Sequence, residues 1–162
     1  MIRISMVFLL VALTLVSPAV AQTNIALGGV SADPDAPVEV TADSLSVDQD
    51  TGTAIFTGNV KVGQGDLRLA AQTVRVVYAE ETGDIAQLVA SGGVTFATAT
   101  EAAEAQDADY DLTRGTLELT GDVLLTQGAS ALSADRMTVD LNTGQAQMSG
   151  RVRTVFRQDG AN

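Results

Sequence analysis

The sequence predicts an all-β protein made of short, repeated strands, and two observations lead to this prediction. First, residues 56–76 contain runs in which apolar and polar residues alternate on either side of a glycine-containing kink. A period of two over this length gives strands with one apolar face and one polar face. Second, residues 119–139 are a related copy of this stretch, with the same T-G-x-V and Q-G steps.

A repeat of about 30 residues organises most of the chain. Each unit reads as a strand, a glycine turn, a returning strand and a G-x-V step. The glycines of the turns are Gly52, Gly83, Gly115 and Gly144. The glycines of the G-x-V steps are Gly58, Gly92, Gly121 and Gly150. We therefore expect about four strand-pair units, with a glycine that tolerates positive φ at each turn.

Residues 1–21 have the three parts of a secretory signal peptide. Arg3 supplies the positive charge, residues 6–16 form an apolar run, and residues 19–21 (Ala-Val-Ala) form a small-residue cleavage site. The rival interpretation is an uncleaved membrane anchor, but the apolar run is shorter than the ~20 residues that span a bilayer. We expect cleavage before Gln22 and export of the mature chain.

The rest of the chain divides into a lead-in, one domain and a tail. Residues 22–37 read as a flexible lead-in, because they are polar and contain Gly and Pro. Residues 38–157 form the predicted β domain, and residues 158–162 a frayed tail. Residues 97–109 are rich in Ala and Glu and fit the alternation less well. We expect a strand or a loop there, with a one-turn helix as the alternative.

The composition argues against several classes of function. The 162 residues include 20 acidic and 9 basic ones, for a net charge of −11, and no His or Cys. A nucleic-acid partner is not expected, because phosphates are neutralised by clustered Lys and Arg. Without Cys and His the chain offers no disulfide, thiolate zinc site or His-activated nucleophile. We expect no catalytic residue, no metal and no cofactor, and an aliphatic core, since aromatic residues make up 4% of the chain.

Short strands with one apolar face fit a closed barrel, a solenoid, or two sheets folded on each other like a jelly roll. Four segments carry a resemblance to a known family, namely ADSLSVD (residues 42–48), FTGNVKVGQG (56–65), LTGDVLLTQ (119–127) and VRTV (152–155). By these segments the chain resembles the OstA-like family, and within it the LptA-type members, which implies that the exported chain resides in the periplasm. The resemblance implies a twisted antiparallel β-jellyroll, open at both ends, over essentially the whole mature domain.

The resemblance also implies a function. In that family two sheets enclose an apolar channel for the acyl chains of lipopolysaccharide, and domains stack head to tail into a bridge across the periplasm. The implied partners are lipopolysaccharide through its lipid A, further copies of the chain, an LptC-like inner-membrane protein and the amino-terminal domain of an LptD-like outer-membrane protein. The residues agree on one physical point, since burying an acyl chain in an aliphatic channel is worth ~0.8 kcal/mol per CH₂. The net negative charge of the chain indicates that it would recognise lipopolysaccharide through the acyl chains.

The positions that match lipid-facing positions of the family are spread over most of the predicted strands. They are Val38, Val40, Val60, Val62, Leu67, Leu69, Val74, Val76, Tyr78, Phe96, Tyr110, Leu112, Leu117, Leu119, Val123 and Leu125. The alternative is that they are plain core residues of a sandwich, because inward apolar residues serve both purposes in such a fold. Phe96 and Tyr110 are the stronger individual candidates, since aromatic residues are scarce.

Charged residues are expected on the outer face. Lys61, Arg68 and Arg75 lie opposite the apolar residues, and Asp107, Asp109 and Asp111 share one side of a strand. The last alternating strand is the predicted docking edge, because an open strand edge can add a partner strand. This edge consists of Val152, Thr154, Val155 and Phe156.

Two alternatives to a lipid carrier come from other classes of protein. One is a structural β-solenoid module without a ligand, which would fill its core and show no cavity. The other is a membrane-anchored LptC-like assembly factor, which would retain residues 1–21.

Overall fold

The structure, a computed structural model, describes residues 23–26, 33 and 35–156, and these form strands, turns and irregular segments without a helix. The predicted all-β class is therefore confirmed. In chain order the strands are β1 (Thr23–Ala26), β2 (Val38–Thr41), β3 (Ser44–Asp48), β4 (Thr53–Gln64), β5 (Leu67–Tyr78), β6 (Ile85–Ala97), β7 (Glu101–Asp111), β8 (Thr116–Gln127), β9 (Ser130–Asp140), β10 (Gln145–Ser149) and β11 (Arg153–Val155). The predicted signal peptide and the predicted tail at 158–162 lie outside the described residues.

All the strands belong to one antiparallel sheet that does not close on itself. The order across it is β1-β10-β9-β8-β7-β6-β5-β4-β2. Two further strands lie off this path, because β3 also pairs with β4 and β11 also pairs with β9. One border of the sheet is therefore formed by β2 and β3, and the other by β1 and β11.

The hairpin turns follow the predicted glycine pattern. Gly52, Gly83, Gly115 and Gly144 have φ values of +59°, +75°, +66° and +70°. Aspartates cap the equivalent first and last turns. Asp48 Oδ1 accepts backbone N–H groups from Asp50 and Thr51 at 2.9 and 3.2 Å, and Asp140 Oδ1 accepts two in the same way. Such Asx turns are a solvated structural use of these carboxylates.

Three glycines of the second set lie near the middle of β4, β6 and β8, and the fourth, Gly150, lies between β10 and β11. Gly58, Gly92, Gly121 and Gly150 have φ values of +82°, +84°, +85° and +78°. The register between neighbouring strands shifts at these points, for example between Thr57 and Val60 and between Thr120 and Val123. A bulge of this kind bends its strand. Because the bulges recur on neighbouring strands, they form one line across the sheet, which we call the bulge line.

The bulge line divides the sheet into two halves. Half-sheet A contains β2, β11 and residues 60–64, 67–70, 94–97, 101–104, 123–127 and 130–134. Half-sheet B contains β1, β3, β10 and residues 53–57, 73–78, 85–91, 107–111, 116–120 and 136–140. The inner faces of both halves join in one hydrophobic cluster. A hydrogen bond from Tyr110 Oη in half-sheet B to Gln64 Oε1 in half-sheet A, at 2.9 Å, shows that the halves face each other.

The structure corrects the sequence prediction for one segment and decides between its alternatives for another. The flexible lead-in is wrong for Thr23–Ala26, which form β1 and pair with β10. Residues 97–109 are not helical, since β7 begins at Glu101. Two of the alanines there, Ala103 and Ala108, provide small buried side chains, and Ala103 lies directly opposite Phe96 on the next strand. The Ala-rich composition therefore makes room for the ring of Phe96 rather than favouring a helix.

Candidate functional site

The apolar inner face contains nearly all of the residues that the sequence proposes for lipid contact. Most of them are less than 5% exposed, and Val60, Val74, Val76, Leu119 and Val123 are completely buried. Val38, Val40 and Leu112 are half-buried against the same cluster. Tyr78 is the exception. It is 37% exposed at the end of β5, where the register shifts, so it does not belong to the buried face.

The inner face also includes residues that the sequence analysis missed. Leu88, Leu132, Met137, Val139, Leu141 and Met148 are all buried in the same cluster. The alternation that identified the proposed residues also runs through β9 and β10, so it could have identified most of these. Leu141 follows β9 within a turn, where strand alternation gives no signal.

The interior is packed in this structure. The larger buried side chains of both halves, such as Phe96, Leu117 and Met148, are at most 1% exposed. One end of the interior carries a partly open cleft of about 210 Å³, lined by Gln64, Ile85, Tyr110, Leu112, Thr113, Gly115, Leu141 and Asn142. Ligand pockets for drug-sized molecules are about 300–1,000 Å³. An acyl chain would therefore have to separate the two half-sheets to enter.

A small polar network lies at this cleft. Tyr110 Oη donates to Gln64 Oε1, and Gln64 Nε2 donates to the carbonyl oxygen of Ala36 at 3.3 Å. Burial raises the pKa of the Tyr110 hydroxyl, which keeps it protonated as a donor. These two hydrogen bonds connect half-sheet B to half-sheet A, and half-sheet A to the segment before β2. They are polar contacts beside the apolar interface between the two halves.

Glu101 is the second buried polar residue, besides Gln64, in the part of the chain that the structure describes. Its carboxylate accepts hydrogen bonds from the hydroxyls of Thr98 and Thr100 and from Gln127 Nε2. Thr98 and Thr100 lie in the turn between β6 and β7, and Gln127 is the last residue of β8. The Glu101 carboxylate therefore holds the turn between β6 and β7 against the end of β8, which is a structural role.

The charged residues lie on the outer face, as predicted. Lys61, Arg68 and Arg75 are exposed. Asp109 accepts two hydrogen bonds from Gln87 Nε2, at 2.7 and 2.8 Å, and Asp111 pairs with Arg114 at 2.6 Å. Hydrogen bonding from the backbone N–H of Arg114, and then from its side chain, lowers the pKa of Asp111. The described residues contain no cluster of three or more side chains arranged to hold a metal ion.

Two basic residues near the end of the described chain, Arg136 and Arg151, meet acidic neighbours. Arg151 binds Asp135 across the bulge line, which lowers the pKa of that carboxyl mainly through the side-chain hydrogen bond. Arg136 lies 3.5 Å from Glu118. Because both arginines are engaged in pairs on the same chain, ordinary surface charge accounts for them better than a phosphate-binding cluster.

The two borders of the sheet carry most of the exposed large apolar side chains. On β3, Leu45 and Val47 are 55% and 61% exposed, and they lie opposite Phe56 and Ala54 of β4. At the other border, Val155 and Phe156 are 54% and 75% exposed, whereas Val152 and Thr154 are half-buried. The predicted docking edge is therefore a border strand, since β11 pairs with β9 on one side.

These features agree with three comparisons with known proteins. Residues 39–145 match the model of the family described as LptA/(LptD N-terminal domain) LPS transport protein. The chain belongs to this family. It is 32% identical over 149 residues to an uncharacterized protein of Rhizobium meliloti, a match that covers 85% of this chain and 80% of that protein.

Members of the LptA family with assigned roles are more distant. The lipopolysaccharide export system protein LptA of Escherichia coli is 29% identical over 117 residues, which cover 67% of this chain and 62% of that protein. LptH of Pseudomonas aeruginosa, described as the LptA-homologous periplasmic component of a lipopolysaccharide transport device, matches with a TM-score of 0.71. That match covers 78% of this chain and 99% of LptH at 18% identity. It establishes the jellyroll fold.

Proposed function

We propose that this chain binds lipopolysaccharide in the periplasm and passes it from the inner toward the outer membrane as part of a protein bridge. The observation that carries the proposal is a continuous aliphatic inner face on an LPS-transport fold. Tyr110 and Gln64 are the polar side chains that meet between the halves, so lipid entry breaks few polar contacts. The proposed role is binding and transfer without catalysis.

The packed interior specifies how the lipid enters. Acyl chains take the place of side-chain contacts between the halves, while the bulge line acts as the hinge. Each CH₂ removed from water contributes ~0.8 kcal/mol. The apolar side chains that lose their contacts with the opposite half-sheet gain similar contacts with the acyl chains. The several acyl chains of a lipopolysaccharide therefore offer a driving force that a single-chain detergent does not.

Photo-crosslinking in living cells tests this proposal. A photoreactive amino acid at Phe96 or Leu125, both buried on the inner face, should capture lipopolysaccharide. Thr95 and Leu124 are matched controls, because they are the preceding residues on the same strands and are exposed on the outer face. Equal capture at inner and outer positions would contradict lipid binding between the half-sheets. If the inner positions capture no lipopolysaccharide while crosslinkers in LptC-like partners do capture it, the alternative of a structural module is favoured. The packed interior agrees with that alternative.

The bridge requires the borders of the sheet to meet other jellyrolls. The proposed partners are a second copy of the chain, an LptC-like protein and the amino-terminal domain of an LptD-like protein. Support comes from the antiparallel order. If β2 and β3 of one copy follow β11 and β10 of another, the alternation of strand direction continues across the junction. Strand addition of this kind supplies backbone hydrogen bonds to both borders.

The periplasmic location depends on removal of residues 1–21. Mass spectrometry of the exported protein should give a mature chain beginning at Gln22. A chain beginning at Met1 would instead support the membrane-anchored alternative. In residues 23–26, 33 and 35–156 no helix has the length and apolar character needed to cross a bilayer.

A further inference from the structure

We propose that β1 is a removable cap on β10, and that it competes with β3 of a second copy of this chain for the same strand edge. The inference rests on the head-to-tail association proposed above. It adds that the chain regulates this association through its own amino-terminal strand.

The position of β1 is that of a missing neighbour in the repeat. β10 corresponds to the first part of β4, because Gly144 and Gly150 flank it as Gly52 and Gly58 flank residues 53–57. On β4, the neighbouring strand β5 places Val76 opposite Ala54. On β10, β1 places Ile25 opposite Ala146. Ile25 is half-buried against the core, so β1 fills at β10 the place that β5 fills at β4.

The border formed by β2 and β3 has the complementary property, because no strand among the described residues covers its free edge. β3 pairs with β4 on one side, and its inward residues Leu45 and Val47 are 55% and 61% exposed. Placed antiparallel on β10 of another copy, β3 would bring these side chains next to Ala146 and Met148, which lie on the inner face there. The backbone edge of β10 can serve β1 or the incoming β3, but not both.

The border of an incoming copy offers more strand pairing than β1 does, and this favours displacement of β1. β1 contributes four paired residues to β10. An incoming border offers β3 with 5 residues for β10 and β2 with 4 residues for β11. It also buries apolar side chains that are exposed in the single copy. The cap in turn protects β10 while no partner is present, and an unprotected strand edge favours unspecific aggregation.

The test compares three forms of the mature chain that begins at Gln22. The first is the unchanged chain. The second lacks residues 22–27 and so has no cap. The third carries Asn24→Cys and Gln147→Cys at directly opposite positions of β1 and β10. Opposite residues on antiparallel strands have Cα atoms about 4.5–5.5 Å apart, within disulfide range. The natural chain has no cysteine, so the oxidised form locks the cap without a competing disulfide.

Sedimentation velocity across a concentration series measures self-association. Removing the cap should raise the association constant on the order of tenfold, a change of about 1.4 kcal/mol in binding free energy. The oxidised double-cysteine form should associate more weakly than the same protein after reduction. Adding Val47→Lys to the shortened chain should abolish the gain, because a lysine on the incoming strand blocks edge pairing.

The outcomes separate the cap from the lipid function. If the shortened chain associates no more strongly than the unchanged one, and oxidation has no effect, β1 is not a competitor. If the chain does not self-associate in any form, both the cap and the head-to-tail junction are wrong, whereas lipid capture at Phe96 is tested independently. Far-UV circular dichroism of the shortened chain and of the oxidised double-cysteine form checks that both retain the β fold, so that a change in association is not ascribed to unfolding.

Discussion

The bulge line makes a quantitative prediction for Gly121→Ala. A Cβ atom at position 121 would lie 2.8 Å from Cβ of Gln106 on the neighbouring strand, and the backbone there has φ +85°. The unusual backbone conformation costs a non-glycine residue ~1–3 kcal/mol. Overpacking against a neighbour costs a further ~1–3 kcal/mol. We expect Gly121→Ala to lower the free energy of unfolding by ~2–6 kcal/mol, the sum of these two contributions.

Gly128→Ala is the matched control for this substitution. Gly128 has φ +57°, and a Cβ atom there would meet nothing within 4 Å. The left-handed conformation alone costs ~1–2 kcal/mol. The smaller conformational entropy of the unfolded alanine chain offsets about 0.4–1 kcal/mol in both variants, so it cancels in the comparison. The remaining difference combines the contact with Gln106 and the difference in backbone conformation between the two positions.

A double-mutant cycle isolates that contact. Urea unfolding followed by far-UV circular dichroism gives the free energies for Gly121→Ala, Gln106→Gly and the double variant. Because Gln106→Gly removes the opposing Cβ atom, it should recover ~1–3 kcal/mol of the loss caused by Gly121→Ala. The explanation would be refuted if Gly128→Ala cost as much as Gly121→Ala, or if Gln106→Gly gave no recovery.

Three further predictions concern the interior, the border and the outer face. Tyr110→Phe should destabilise the fold by ~1–3 kcal/mol by leaving the buried Gln64 oxygen without its donor, whereas Tyr78→Phe at an exposed position should leave the thermal midpoint unchanged. Val155→Lys should weaken self-association in light scattering, since a charge on β11 opposes strand pairing, and unchanged association would move docking to another surface. Hydrogen bonding within its turn lowers the pKa of Asp111, so its contribution to stability is present above the unfolded pKa of ~3.9 and is lost as pH falls below it. Acid unfolding of Asp111→Asn should therefore depend less on pH in that range, and an unchanged dependence would contradict a stabilising role for the ionised carboxylate.

Much of the candidate site follows from local pattern. Alternation identifies the inward residues within each half-strand, because side chains of a strand point to opposite faces in turn. At the bulge line the number of unpaired residues differs between strands, so the alternation continues on one strand and shifts by one residue on another. β4 has two unpaired residues there, Gly58 and Asn59, so Ala54 and Val60 keep the same parity. β5 has one, so the inward positions shift from Ala71 to Val74. Counting from one end of a strand therefore fails without the register.

The sequence by itself determined most of the strands, the turn glycines, the aliphatic inner face and the family resemblance, since each depends on residues near one another in the chain. Only the tertiary structure decided what depends on distant residues. It showed that β1 pairs with β10, over a hundred positions later in the chain, and that Tyr110 meets Gln64 across the two halves. It also showed that the end of β5 exposes Tyr78. Pairing between distant strands depends on which edges remain free after the sheet has folded, and no local pattern of residues encodes that.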